Sequence, residues 1–343
     1  MRPPTARIAA ATAMLLVGTS TAVSATVADY PVFTGQALRY ALAAAVLFAV
    51  LGRLRPPRVS LTFRDVLLLI ALAATGLAGF NVFLVEATRH AGPAMIGTVV
   101  GAVPLVLALA GPLSERRRPD PRTVGAAVVV ALGAAVAAGL GSGSPTGILL
   151  SLGALAGEVA FSLLAVPLLP RLGPLRVAAY PAALAVPMLL TAGLVVDGTS
   201  SLRLPTLGQG AAFAYLGAIV TAGAFFLWYD ALRCLGPDRA GLFAGLVPVG
   251  ALLTTVVLGI GGAGPADVTG ALLVAVGVVI GIRRRRPPAA GAKRGTPPRP
   301  SAPFRHMRGP TSGAWHVVRV AHVSRLSPKA DETIRIARGG GVS

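Results

Sequence analysis

The feature of this sequence that most limits its possible folds is a succession of apolar blocks, each long enough to cross a membrane. A helix needs about 20 apolar residues to span the hydrocarbon core of a bilayer. Backbone amides find no water in that core, so only helices and closed barrels can span it. The blocks are continuous and do not alternate between apolar and polar residues, which favours helices over a barrel. We therefore predict an all-α integral membrane protein.

Composition indicates that lipid is the main solvent of this chain. Only 13% of the 343 residues are charged and 54% are hydrophobic, whereas a soluble domain carries about 25% charged residues. Gly and Pro within the blocks do not exclude helices, because membrane helices tolerate both. The ten predicted transmembrane helices cover residues 8–27, 33–52, 65–85, 93–113, 123–141, 147–167, 176–195, 209–229, 240–260 and 266–282.

The distribution of Arg predicts the orientation of these helices. With a cytoplasmic N-terminus, only Arg89 and Arg203 fall in outer loops. The inner segments hold Arg2, Arg7, Arg53, Arg55, Arg58, Arg64, Arg116, Arg117, Arg118, Arg122, Arg171, Arg176, Arg233, Arg239 and Arg283 to Arg286. This asymmetry follows the positive-inside rule. We expect a multi-pass protein of the plasma (inner) membrane with both termini cytoplasmic, and the net charge of +19 does not indicate a nucleic-acid partner.

The first predicted helix has a second interpretation. Residues 1–25 resemble a secretory signal peptide, with a basic start, an apolar stretch and Val23-Ser24-Ala25 as a possible cleavage site. Cleavage would leave nine helices and break the internal symmetry described next. We therefore favour an uncleaved first helix.

Two distant segments of the chain are similar, with eight identical residues in 24 aligned positions. NVFLVEATRHAGPAMIGTVVGAVP (81–104) aligns without gaps to FFLWYDALRCLGPDRAGLFAGLVP (225–248). The identical pairs include Arg89 with Arg233, Gly92 with Gly236, Pro93 with Pro237, Gly97 with Gly241, Gly101 with Gly245 and Pro104 with Pro248. Similar apolar composition alone does not explain a shared Arg-x-x-Gly-Pro turn followed by Gly-x-x-x-Gly.

An internal duplication over an odd number of helices has a topological consequence. Residues 8–141 form a first five-helix repeat and residues 147–282 a second one, which enters the membrane from the opposite side. Inverted repeats of this kind are typical of secondary transporters. The same helix–turn–helix segment would then be present once at each membrane face.

Several segments resemble a known family of transporters. They are ALRYALAAAVLF (37–48), GTVVGAVPLVLALAGPLSERRRPDPRTVGA (97–126), DALRCLGPDRAGLFAGLVPVGALL (230–253) and GALLVAVGVVI (270–280). Across roughly residues 8–282 the chain resembles the drug/metabolite transporter superfamily, in its ten-helix EamA-like branch. The first copy keeps the family's acid at the end of the fourth helix as Glu115, whereas the second copy has Ile260 or Gly261 there.

The resemblance implies an exporter of small metabolites, such as amino acids or related compounds, or of drugs. It also implies a cavity between the two halves, lined mainly by the third, fourth, eighth and ninth helices with help from the first and sixth. Many members are thought to use a proton or substrate gradient. Both halves are present in one chain, so we expect it to work as a monomer on a small-molecule substrate.

Glu158 is the strongest candidate for proton coupling or substrate binding. It lies near the middle of the sixth predicted span and has no basic neighbour there. An ionisable group in a membrane is costly and points to function. Burial disfavours the charged carboxylate, so this group could take up a proton on one side and release it on the other. Helical spacing places it on one face with Ser151, Leu155 and Ser162; the alternative is a Glu hydrogen-bonded to a neighbouring helix.

Other polar and aromatic side chains are candidates for the substrate cavity, namely Arg39, Asn81, Ser162, Trp228 and Tyr229. Arg39 could bind an anionic substrate, pair with an acid, or extend to the lipid headgroups. Asn81 could orient a polar substrate or form an interhelical hydrogen bond. Trp228 and Tyr229 could contact apolar or cationic groups, or form an interfacial aromatic belt.

Repeated Gly and Pro residues suggest packing and hinge positions. Gly-x-x-x-Gly pairs permit close approach of helices, and Pro removes one helical hydrogen bond and can kink a helix. These candidates are Gly97, Gly101, Pro104, Gly241, Gly245 and Pro248.

Two further functions remain possible at this stage. A non-transporting sensor or scaffold would act through residues 283–343, which we expect to be a basic, disordered cytoplasmic tail. Arg283–Arg286 in this tail could bind anionic lipid headgroups. An intramembrane enzyme is less favoured because no His lies in any predicted helix. Neither a metal nor any other cofactor is expected.

Overall fold

The computed structural model describes residues 3–139, 143–257, 259 and 264–282, and these residues form helices without β-strands. The helices are α1 (Pro3–Ala25), α2 (Val32–Leu54), α3 (Phe63–Ala87), α4 (Pro93–Ser114), α5 (Pro121–Ala138), α6 (Pro145–Leu163), α7 (Leu169–Asp197), α8 (Leu207–Leu235), α9 (Pro237–Gly241, Leu242–Leu246 and Val247–Val257) and α10 (Pro265–Ile282). A short 3₁₀ turn, Gly198–Ser201, follows α7. Arg283–Arg286 and the rest of the tail lie outside the described residues.

The predicted all-α fold is confirmed. Nine helices in the described part of the chain are long and apolar enough to cross a membrane, and α9 occupies the remaining position between α8 and α10. The structure departs from the predicted helices at two places. Helix α7 begins at Leu169 but breaks at Gly173, where φ is +73°, and α8 continues to Leu235, where Gly236 ends it with φ of +81°. Gly adopts positive φ without the steric cost of a Cβ.

The two halves of the fold exchange helices with each other. Helix α1 packs against α8 and α9 of the second half, whereas α6 packs against α3 and α4 of the first half. Helices α2 and α7 pack together, as do α5 and α10. These pairings are what two inverted copies produce when each places its first helix against the other copy.

Close packing of α5 and α10 depends on Gly. A Cβ added to Gly133 would lie 2.8 Å from the carbonyl oxygen of Gly270, and one added to Gly270 would lie 2.6 Å from that of Gly133. Real Cβ atoms do not approach a backbone oxygen this closely. The absence of side chains at both positions therefore lets the two backbones touch, as in other membrane helix pairs with small residues.

The two copies share irregular helix geometry at matching positions. Within α3, Leu72–Gly79 is a π-helical segment, and within α8, Tyr215–Gly223 is another. Helix α4 is interrupted between Val100 and Val103, just before Pro104, and α9 contains the 3₁₀ segment Leu242–Leu246 just before Pro248. These departures from regular α-helix occur in register with the sequence repeat.

Contacts between loops define two ends of the bundle. One end, here the Asp29 end, gathers the connections between α1 and α2, α3 and α4, α5 and α6, and α7 and α8. Arg203 contacts Asp29 there, and the Ser144 amide donates to the His90 carbonyl at 3.2 Å. The opposite end, the Asp238 end, contains the Asp65–Arg171 and Arg117–Asp238 ion pairs. By the orientation predicted above, the Asp29 end faces outside.

Candidate functional site

Glu158 lies in α6, five residues before the helix ends at Leu163. This is closer to the Asp238 end than the sequence predicted, because α6 ends earlier than residue 167. The side chain is partly buried, and no described residue forms a hydrogen bond or ion pair with it. Tyr40 and Tyr229 lie close enough to interact with it electrostatically. Glu158 is thus an acid without a basic partner in the described protein.

Aromatic rings from three helices surround this region. Phe161 of α6 lies 4.7 Å, centroid to centroid, from Phe225 of α8 and 5.0 Å from Tyr229. Tyr40 of α2 lies 6.3 Å from the Phe225 ring. The sequence did not single out Phe161, Phe225 or Tyr40, because their contacts join helices from both halves of the chain.

Asn81 is joined to the same cluster through a hydrogen bond between helices. Its side chain is 5% exposed, and Nδ2 donates to the Tyr40 hydroxyl at 3.2 Å and to the Leu77 carbonyl at 2.7 Å. The bond to Tyr40 links α3 to α2. Asn81 therefore holds Tyr40 in place beside Glu158.

Trp228 and Tyr229 are buried rather than placed in a lipid-facing belt. They are 2% and 0% exposed. The Trp228 indole Nε1 donates to the Ser162 hydroxyl at 3.2 Å, and the Tyr229 hydroxyl donates to the Phe161 carbonyl at 3.4 Å. Both bonds connect α8 of the second half to α6, on the face that carries Glu158 one turn earlier.

Arg39 lies nearer the Asp29 end, close enough to Tyr40 to interact with it electrostatically. It is seven residues from the start of α2, which corresponds to about 10 Å along the helix axis. Its Nε donates to the Thr221 hydroxyl at 2.5 Å. Arg39 also lines a pocket of about 170 Å³ together with residues of α1, α2 and α8. Asn81 is thus connected to the region of Glu158 through Tyr40, and Trp228 through Ser162. Arg39 forms no hydrogen bond with these side chains in the described protein.

The paired Gly residues of α4 and α9 lie at helix contacts. A Cβ added to Gly97 would lie 3.2 Å from the Ala138 side chain, and one added to Gly101 would lie 3.0 Å from that of Ala134. A Cβ added to Gly241 would lie 2.8 Å from the Leu107 side chain, and one added to Gly245 would meet Val130. Pro104 is buried, and Pro248 follows the 3₁₀ segment of α9. A packing role for the Gly residues and a hinge role for Pro104 and Pro248 stay predictions that agree with these positions.

At the Asp238 end, an ion pair joins the two halves through a helix cap. Thr62 and Asp65 form a capping box at the start of α3. Arg171, at the start of α7, donates from Nη1 to Asp65 Oδ2 at 2.5 Å and from Nη2 to the Ser60 carbonyl at 3.2 Å. We call the Asp65–Arg171 contact the inner latch.

At the Asp29 end, the repeat-related cap forms the corresponding contact. Thr206 and Gln209 form a capping box at the start of α8. They correspond to Thr62 and Asp65 when the gap-free alignment of residues 81–104 with 225–248 is extended toward the N-terminus. Gln209 Nε2 donates to both carboxylate oxygens of Asp29, at 3.2 Å each. We call the Gln209–Asp29 contact the outer latch. The Thr-x-x-Asp and Thr-x-x-Gln patterns are visible in the sequence as helix-start signals, but they do not reveal their partners in the other half.

Glu115 lies at the Asp238 end rather than in the membrane interior. It ends α4 and pairs with Arg117 at 2.5 Å, and Arg117 also lies 3.8 Å from Asp238 of α9. The hydrogen bond with Glu115 is the main cause that raises the pKa of Arg117. Ile260 and Gly261, at the corresponding place of the second copy, lie outside the described residues.

Comparison with known proteins decides the family. A model of the EamA-like transporter family matches residues 5–139 and again residues 145–283. The chain belongs to the EamA-like transporter family. The resemblance to this branch of the drug/metabolite transporter superfamily is therefore confirmed, and the two family matches coincide with the two halves of the fold.

Individual relatives of this EamA-like chain agree with that assignment. A Bacillus subtilis protein named "Uncharacterized transporter YetK" is 25% identical over 261 residues, which cover 74% of this chain and 79% of the relative. A solved structure described as "Crystal structure of protein" superposes with a TM-score of 0.67 and 24% identity, covering 81% of this chain and 96% of the other. At that identity the likeness supports the fold alone. The chain is a multi-pass membrane protein of a transporter family.

Proposed function

We propose that this protein is a secondary transporter that exports small metabolites, such as amino acids or related compounds, or drugs by alternating access. The observation that carries the proposal is the pair of latches at repeat-related positions on opposite ends of the bundle. Each latch joins the cap of a third helix in one half to a loop or helix start in the other half. Opening one latch while the other stays closed would expose the interior to one side at a time.

The two latches differ in strength, which favours one resting state. Asp65 of the inner latch is 5% exposed and forms a full ion pair, whereas the Asp29 side chain of the outer latch is 73% exposed. Exposed polar contacts contribute little, because solvent screens them. The Asp238 end is therefore the more firmly closed one.

A pocket at the Asp29 end agrees with this asymmetry. It has a volume of about 270 Å³ and is lined by Asp29, Arg89, Asp197 and Ser200 among others. Together with the firmly closed Asp238 end, the pocket supports a resting state that opens toward the outside in the predicted orientation.

Glu158 is the group we propose for proton coupling. It is the acid in α6 that lacks a basic partner among the described residues, and it stands beside Tyr40 and Tyr229 near the closed end. A protonated carboxyl is neutral, so it can stay in the low-dielectric interior at a smaller cost than a carboxylate. Substrate movement could then be linked to proton uptake on one side and release on the other.

Metabolite release from cells tests export and coupling together. Wild type, Glu158→Gln and vector cells are matched for membrane level, and the medium is profiled by untargeted mass spectrometry with and without an uncoupler. The proposal predicts that wild type releases a small set of metabolites and that both Glu158→Gln and the uncoupler stop this release. Glu86→Gln is the matched control, since Glu86 is an exposed acid whose ion pair with Arg89 lies at the surface.

Each alternative result has a distinct meaning. Release that persists in Glu158→Gln leaves an exporter but removes Glu158 as the proton site. A medium that matches the vector control at full expression contradicts export of endogenous metabolites.

A further inference from the structure

Arg39 is a charge within the membrane-spanning part of α2 that has no acidic partner in the described protein. Its one hydrogen bond there runs from Nε to the neutral hydroxyl of Thr221. A cation at this depth is costly unless it is paired or faces a polar cavity. The small pocket that it lines has mostly apolar walls, so a bound anion would lower that cost.

The hydrogen bond to Thr221 uses Nε of Arg39 and leaves the two terminal guanidinium nitrogens without a hydrogen-bond partner among the described residues. The Thr221 hydroxyl donates to the Leu216 carbonyl at 2.8 Å, so it accepts from Arg39 with a fixed orientation. That carbonyl lies five residues earlier, within the π-helical segment of α8. With Nε engaged, the two terminal nitrogens of Arg39 form a fork, which is the geometry that binds a carboxylate through two parallel hydrogen bonds.

Gln36 supplies a second unsatisfied group in the same pocket. It precedes Arg39 by three positions on α2, which places the two side chains next to each other on one helix face. Both residues line the pocket. The Gln36 Oε1 atom is buried and accepts no hydrogen bond from the described residues. A buried acceptor without a donor is costly, so a ligand with an N–H or O–H group would satisfy it once the Gln36 amide turns into the pocket.

We infer that Arg39 and Gln36 form a binding site for a small 2-amino or 2-hydroxy carboxylic acid. The carboxylate binds the free fork of Arg39, and the neighbouring amino or hydroxyl group donates to Gln36 Oε1. The pocket volume of about 170 Å³ is below the roughly 300–1,000 Å³ of drug-sized sites, which favours a small metabolite over a drug. This inference names the substrate class of the proposed transporter and so rests on that function.

Binding is tested on the purified full chain in neutral detergent, by the shift in its melting temperature. The probes are L-lactate, L-alanine, propionate, which lacks the 2-substituent, and L-lactamide, which lacks the carboxylate. L-Lactate and L-alanine are expected to stabilise wild type most, propionate less and L-lactamide not at all. Loss of a charged hydrogen-bonded partner should weaken L-lactate binding roughly tenfold to hundredfold in Arg39→Gln.

Two further variants separate binding from folding. Arg39→Lys keeps a cation but lacks the fork, so it should retain weak carboxylate binding. Gln36→Leu should bind L-lactate no better than propionate. Equal stabilisation by L-lactamide and L-lactate, or unchanged L-lactate binding in a folded Arg39→Lys protein, contradicts the inference.

Two other outcomes would also contradict the proposed carboxylate site. Stabilisation by phosphatidylglycerol but by none of the small carboxylates would show that Arg39 binds lipid headgroups and would overturn the inference. A protein that none of the probes stabilises has no such site. Because binding is measured without transport, this experiment can succeed where metabolite release fails, and the reverse also holds.

Discussion

At the scale of single residues, the sequence could identify unusual groups but not their partners. Glu158 and Arg39 were identifiable because an isolated charge in an apolar helix is rare. Their surroundings were not, because Thr221 lies in a different half of the chain from Arg39, and the aromatic rings near Glu158 come from α2, α6 and α8. Such contacts depend on tertiary packing, which local patterns do not encode.

The hydrogen bond between Trp228 and Ser162 yields a stability prediction. Ser162→Ala leaves the buried indole N–H without an acceptor, which should lower the free energy of unfolding by about 1–3 kcal/mol. Ser151→Ala is the control, since the buried Ser151 hydroxyl donates to the Gly147 carbonyl of its own helix and makes only a long contact, 4.0 Å, with Met95 Sδ of α4. Denaturation in mixed micelles measures both variants. Equal stability of Ser162→Ala and Ser151→Ala would show that the bond to Trp228 contributes nothing.

At the scale of helices, apolar blocks predicted where the spans lie but not their internal geometry. The predicted and observed ranges of most helices agree within a few residues. The π-helical segments of α3 and α8 were not predictable from hydropathy, because a π-turn changes backbone bonding without changing composition. The break in α7 was missed for a similar reason, since Gly173 alone does not show that its φ is positive.

Close packing of α5 against α10 predicts opposite effects for two Gly→Ala substitutions. Gly270→Ala places a Cβ 2.6 Å from the Gly133 carbonyl oxygen, and the required backbone shift should cost about 1–3 kcal/mol. Gly125→Ala meets nothing within 4 Å and should stabilise by up to about 1 kcal/mol, because Ala favours helix over Gly. Melting temperatures in detergent check both signs. A stabilising Gly270→Ala would contradict the observed packing.

At the scale of the whole molecule, the sequence did not predict the exchange of helices between the two halves, but it did predict two five-helix repeats. The family match over both halves supports that arrangement. The latches could be predicted only in part. Their Thr-x-x-Asp and Thr-x-x-Gln caps are visible in the sequence, but the residues that contact these caps, Arg171 and Asp29, come from the opposite half of the chain. Orientation in the membrane stays a prediction from the distribution of Arg.

Cys234 offers a direct test of orientation, because it is the single cysteine of the chain and is exposed near the Asp238 end. A membrane-impermeant maleimide should label it in inside-out vesicles and not in intact cells. Arg203→Cys in a Cys234→Ser background should show the opposite pattern, since position 203 lies at the Asp29 end. Labelling of Cys234 in intact cells would reverse the predicted orientation.

The most direct test of alternating access is to hold the inner latch closed. Asp65→Cys and Arg171→Cys are combined with Cys234→Ser and joined by a short, reducible cross-linker, and release of the exported metabolite is followed. Ala49→Cys with Arg53→Cys, two exposed positions one turn apart in α2, provides the control. If the inner latch must open for export, release falls in proportion to the cross-linked fraction, returns on reduction, and is unchanged in the control. Undiminished release from a fully cross-linked inner latch would contradict this requirement.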